Sequence, residues 1–141
     1  MNRAVRLDGP RSATVVAVPV PEPEPGHVVV RVAWAGVCGS DVELYEGRRP
    51  EGYVRYPVVP GHEWSGTVEA VGAGVDPGLV GRPVVAEGFR SCQVCPACRR
   101  GEPTVCHAAY DETGFTRDGA WADRLTVPAR LVHALPDDAD L

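Results

Sequence analysis

The 141-residue chain has no lysine and no isoleucine, one methionine and only two phenylalanines. Its fourteen basic residues are therefore all arginine, set against nineteen acidic ones for a net charge of −5. With no basic stripe available to neutralise a phosphate backbone, nucleic acid is excluded as the expected partner. Long apolar runs are also missing. Arg, Glu or Pro interrupts them within about ten residues, well short of the roughly 18 to 20 that cross a bilayer, so no membrane span is expected. The opening MNRAVRLDGPRS carries charges throughout and lacks the apolar stretch of a secretory signal, which makes cytoplasmic the expected localisation. Missing lysine and isoleucine beside abundant Arg, Val, Ala, Gly and Pro reads as the codon bias of a GC-rich genome and implies no mechanism.

What is present points to β-structure. Sixteen glycines, fourteen prolines and twenty-four valines favour short strands joined by many turns, and the length suits one domain with a modest core. GHVVVRVAWA reads as a strand with Val28, Val30, Val32 and Trp34 on one face and Val29, Arg31, Ala33 and Ala35 on the other. Cys38 follows it. Ser40-Asp41-Val42-Glu43 has the form of a capping box, predicting a short helix through about Tyr45 that Gly47 ends. Pro60-Gly61 predicts a turn into a strand from Trp64 to Val71, and GRPVVAE a further strand. Trp121, Leu125 and Val127 are candidate inward residues of a late strand, and Asp137-Asp138 reads as the acidic first turn of a helix. PVPEPEPG at 19–26 is a stiff connector.

Between Phe89 and His107 the apolar period disappears, yet four of the five cysteines, Cys92, Cys95, Cys98 and Cys106, crowd into this stretch. Two disulfides would have to close very short loops, whereas C-x2-C-x2-C-x7-C supplies four thiolates for one tetrahedral ion. A closed thiolate shell leaves no open position, so the expected metal is a structural zinc that orders a lobe without a core. A redox C-x-x-C pair lacks its βαβ setting, while an iron–sulfur cluster is the competitor that such spacing leaves open.

Cys38 and the pair His62-Glu63 form a second set of metal-ligand types at predicted strand ends. Thiolate, imidazole and carboxylate can hold a zinc with an open position, the requirement for a Lewis acid; singly, each residue type is more often merely structural. The Gly72-Ala73-Gly74 stretch fails the G-x-G-x-x-G pattern, because the next glycine is Gly78, and reads as a turn between strands rather than a nucleotide site.

Taken in order, GVCGSD, PGHEWSGTVEAVGAGV and CQVCPACRRGEPTVC resemble the N-terminal GroES-like catalytic domain of the zinc-containing medium-chain alcohol dehydrogenases. The likeness spans nearly the whole chain and includes the P-x-P-x-P-G-x-V-x-V-x-V lead-in at 21–32. It implies a mainly β fold, a partly open GroES-like barrel with short helices and a zinc-bound four-cysteine lobe. It further implies a catalytic zinc on Cys38 and His62, Glu63 as an alternating or nearby ligand, and Asp41 as the acceptor orienting His62. Ser40 would take the substrate's alcohol proton, and Glu43 stands where the family frequently has a relay histidine. Such enzymes pass hydride from an alcohol to NAD or NADP. On this reading residues 1–141 are the N-terminal part of a longer enzyme whose Rossmann domain and remaining zinc ligand follow. The substrate is a secondary alcohol, polyol or sugar-like molecule, and the full-length protein is a homo-oligomer. The rival expectation is a non-enzymatic, zinc-stabilised binding module.

Overall fold

The computed structural model describes residues 1–141. The chain forms β1 (Asn2–Gly9), β2 (Ser12–Val18), β3 (His27–Ala35), α1 (Gly39–Glu46), β4 (Trp64–Val71), β5 (Pro83–Ala86), α2 (Pro96–Arg99), β6 (Arg124–Pro128) and β7 (Val132–Ala134), with three single 3-10 turns between them. β1 and β2 make an antiparallel hairpin, and the other strands make a five-stranded antiparallel sheet in the order β6-β3-β4-β5-β7. Isolated bridges from Ala4 to Ala122 and from Leu7 to Val58 tie the hairpin to the rest. The fold is mainly β with two short helices, as expected from the valine, glycine and proline content. No helix is long and apolar enough to cross a membrane.

Valine alternation builds the main core. Val28 and Val30 of β3, Val68 of β4, Val84 of β5 and Leu125 and Val127 of β6 are buried together with Trp64 and Ala120. A smaller cluster of Leu7, Leu44, Val58 and Phe115 ties β1, α1 and two loops together beneath the functional residues. The strand from Trp64 to Val71 lies where the sequence places it. The inward face of β3 is shorter than its alternation suggests. An extra β3 residue between Val32 and Trp34 breaks the pairing register with β4, and such a bulge bends and twists its strand. Trp34 is consequently 69% exposed instead of facing the core with Val28, Val30 and Val32. Trp121 is half-buried, while Leu125 and Val127 are core residues.

Two further local expectations are corrected. Asp137 and Asp138 occupy a turn closed by the Ala139 N–H on the Pro136 carbonyl, not a helix. The helix after Cys38 does run to Glu46 and stop at Gly47, but its cap is shifted by two residues. Cys38 is the N-cap, and Asp41, not Glu43, reaches back to it. The Gly72–Gly74 stretch is a turn, as read. A Cβ on Gly72 would sit 1.8 Å from the Glu24 carbonyl oxygen, so here the glycine serves a close backbone crossing under the Pro-rich connector.

Candidate metal centres

The first centre is assembled from the start of α1 and the entry to β4. The Asp41 side chain, 1% exposed, accepts the Cys38 N–H through Oδ2 at 2.9 Å, which fixes the backbone that carries the Cys38 sulfur. Opposite it, residues 59–61 are clamped by three backbone donors: the N–H groups of Gly119, Ala120 and Trp121 reach the carbonyls of Val59, Gly61 and Pro60. Gly61 has φ +99°, and a Cβ there would lie 2.5 Å from the Trp121 ring, so glycine is required where the chain turns to present His62. The Trp121 indole in turn donates to the Gly36 carbonyl at 3.1 Å. Both halves of the centre therefore rest on one strut.

The result is a tight donor group. Cys38 Sγ lies 3.2 Å from His62 Nε2, and Ser40 Oγ lies 2.7 Å from that sulfur and 3.4 Å from the same nitrogen. Behind the imidazole, Asp41 Oδ1 stands 3.4 Å from His62 Nδ1. Both of these rear atoms are buried and lack any closer partner. Ligand atoms of Cys38, Asp41 and His62 all fall within 4.8 Å of one another. A soft thiolate and an imidazole nitrogen side by side fit zinc, and the rear carboxylate matches the usual partner of a metal-bound histidine. Glu63 is exposed, with its carboxylate over Gly36 and outside this close set, although its carbonyl accepts the Gly36 N–H at 2.8 Å. Glu43 is also exposed and faces Arg48.

We expect Asp41→Ala to act twice. Losing the helix-start hydrogen bond lowers stability by roughly 0.5 to 2 kcal/mol, and leaving His62 unoriented weakens metal binding by about 10- to 100-fold. Denaturant titration and chelator competition read the two effects separately; unchanged metal affinity would refute the orienting role.

Sequence reading missed a layer of side chains behind His62. The Phe115 ring lies 4.7 Å from the imidazole, and the Arg49 guanidinium carbon sits 4.0 Å over the centre of that ring. Arg49 also donates to the Tyr53 carbonyl at 3.2 Å and to the Tyr110 hydroxyl at 3.3 Å, and Tyr110 donates to Glu112. Burial pushes the Glu112 carboxyl above its ordinary range, against the opposing pull of His62 and Arg49.

The second centre is the four-cysteine lobe. None of its cysteines is in a disulfide, and all four sulfurs lie within 4.8 Å of one another. Cys92 and Cys98 are 4.0 Å apart at sulfur, close to the roughly 3.8 Å edge of a tetrahedron with zinc–sulfur bonds of about 2.3 Å. Backbone N–H groups already point at the sulfurs: Cys95 at Cys92, Cys98 at Cys95, and both Cys92 and Ala108 at Cys106. Amide donors of this kind stabilise thiolates. The N–H groups of His107 and Cys98 bring Cys95 down to about 6, whereas desolvation and the neighbouring Cys95 push Cys98 up to about 11.

Comparison with known proteins agrees with this architecture. Residues 24–137 match the family model of the alcohol dehydrogenase GroES-like domain. L-threonine 3-dehydrogenase of Anaeromyxobacter dehalogenans is 38% identical over 122 residues, covering 86% of this chain and 35% of its own. The NADP-bound structure of a zinc-binding dehydrogenase from Sinorhizobium meliloti superposes with a TM-score of 0.90 at 33% identity, over 99% of this chain and 40% of that one. Galactitol-1-phosphate dehydrogenase from Escherichia coli gives a TM-score of 0.87 at 34% identity, over 96% and 38%. The chain thus spans two fifths or less of each relative's length. With the cysteine lobe, the paired Cys38 and His62 and the sheet order all in place, the chain belongs to the GroES-like domain family of the zinc-containing medium-chain alcohol dehydrogenases.

Proposed function

We propose that this domain is the substrate- and zinc-binding half of an NAD(P)-dependent dehydrogenase that oxidises a secondary alcohol, polyol or sugar-like substrate to a carbonyl. On this reading it works with a Rossmann domain that supplies the nucleotide site, in a full-length protein that is a homo-oligomer. The observation that carries the reading is the convergence of Cys38, His62 and Ser40 on one point, backed by a buried Asp41. Relatives named for L-threonine and galactitol 1-phosphate both act on hydroxyl-bearing molecules, and the NADP bound to another supports the nicotinamide acceptor.

Oxidising an alcohol removes a hydride and a proton. What a zinc ion adds when bound at Cys38 and His62 is Lewis acidity toward an alcohol oxygen. This chain's residues handle the rest of the local work. Ser40 Oγ, beside both donor atoms, takes the hydroxyl proton as a relay, its own proton passing on to solvent as the new one arrives. Asp41 holds the His62 tautomer with Nδ1 protonated and Nε2 free to bind metal. Glu63, one residue beyond His62, is an alternating or nearby ligand. The four-cysteine lobe binds the second, structural zinc. No residue of this chain is assigned to the nucleotide.

Metal analysis of the holoenzyme tests the reading. About two zinc ions per chain, with Cys38→Ser and His62→Ala each removing one, are expected. A single zinc that survives both substitutions would mean that only the lobe binds metal, the behaviour of a zinc-stabilised binding module.

A further inference from the structure

Arg49 is the one guanidinium in the layer behind His62, and it forms no ion pair. Its sequence neighbour Arg48 is taken by Glu46 at 2.6 Å, and Arg117, close to Phe115 in sequence, by Asp111 at 3.0 Å. Arg49 instead spends Nε on the Tyr53 carbonyl and Nη2 on the Tyr110 hydroxyl, both neutral acceptors, and Nη1 has no acceptor in the protein. Phe115 supports the guanidinium plane from below. The same ring packs against the imidazole of His62, so the cation is no farther from the metal-binding histidine than the span of those two stacked contacts.

Three features make this a recognition element rather than an incidental surface charge. The guanidinium is half-buried and immobilised by two hydrogen bonds and an aromatic face, so little rotamer entropy remains to be lost on binding. No carboxylate contacts it directly: Glu112 lies within its electrostatic reach but accepts from Tyr110 instead. An arginine with an unused Nη1 offers the planar fork that carboxylates and phosphates fit.

We propose that Arg49 is the anion-recognition residue of this site, receiving a carboxylate or phosphate on the same substrate whose hydroxyl lies at Cys38, Ser40 and His62. The substrate class is accordingly a hydroxy acid or phosphorylated polyol a few carbons long, not a neutral alcohol. This inference rests on the dehydrogenase reading above.

The test uses the holoenzyme with zinc in the lobe and cobalt at Cys38 and His62, whose visible spectrum reports ligands arriving at that metal. Matched probes are titrated: 3-hydroxybutyrate against 1,3-butanediol, and galactitol 1-phosphate against galactitol, with butyrate as an anion lacking the hydroxyl. A charge-assisted pair of this kind predicts that at least one anionic probe binds roughly 10- to 100-fold more tightly than its neutral partner, and which pair shows it separates carboxylate from phosphate. Arg49→Met is expected to collapse that ratio to within about twofold, and Arg49→Lys to keep part of it. Equal affinities in both pairs, a ratio that survives Arg49→Met, or a spectrum moved as strongly by butyrate as by 3-hydroxybutyrate would each overturn the role of Arg49 while leaving the dehydrogenase reading standing. A spectrum that no alcohol moves would overturn both.

Discussion

Ser40→Ala is expected to lower kcat of the holoenzyme by roughly 100- to 10,000-fold, the range for loss of a positioned proton acceptor, while barely moving its melting temperature. The structure separates these effects. Ser40 is the second residue of α1, and the helix start is held by Asp41 on the Cys38 N–H, so the serine hydroxyl has no capping duty. Its only side-chain neighbours within hydrogen-bond range are Cys38 Sγ and His62 Nε2. Removing it therefore costs about 0.5 kcal/mol of stability or less. Ser40→Thr retains the hydroxyl and should retain most of the turnover. Zinc content measured on the same samples separates proton transfer from metal loss. Near-normal turnover of Ser40→Ala with both zinc ions in place would remove Ser40 from the mechanism.

The cap illustrates what a sequence pattern can and cannot decide. Two frames, C-x-x-D from Cys38 and S-x-x-E from Ser40, overlap in the same few residues. The S-x-x-E frame is the commoner chemical signature, but burial selects the other: Asp41 is buried and faces two polar partners, whereas Glu43 is exposed beside Arg48. The cysteine lobe was legible because its ligands lie within one short loop and need no tertiary information. Cys38 and His62, twenty-four residues apart, could be grouped from the sequence only as ligand types at two predicted strand ends, and the family resemblance made them one zinc site. The alternation of β3 failed at Trp34 because a bulge depends on the partner strand, which no local window contains. Arg49, Tyr110, Glu112 and Phe115 left no trace at all: Arg49 and Tyr110 are sixty-one residues apart, and a hydrogen bond across that distance has no period.

Removing metal from the four-cysteine lobe should produce the largest structural change in the molecule, and it should be local. Only Ser91 and Ala97 are buried between residues 89 and 110, while Val94 and Val105 are 64% and 59% exposed. Apolar burial of that size cannot offset the ordering of some twenty residues at roughly 1 to 2 kcal/mol each, whereas structural zinc sites supply about 10 to 16 kcal/mol. Hydrogen exchange is the appropriate measurement. Chelation or Cys98→Ser should abolish amide protection from Cys92 to Cys106, with protection of Val28, Val30, Val68 and Val84 surviving in the sheet core. The pH dependence has a definite sign. In the disordered metal-free lobe the four thiols have the ordinary cysteine pKa of about 8.5, and each must release its proton to bind zinc. Apparent zinc affinity should therefore climb steeply with pH between about 6 and 8 and level off above about 9. A metal-free lobe that keeps its amide protection, or a zinc affinity flat across that range, would show that something other than the four thiolates holds it together. Tyr110 follows the lobe and anchors Arg49, so the same chelation should also weaken any discrimination by charge at the Cys38–His62 centre even when that centre keeps its own metal.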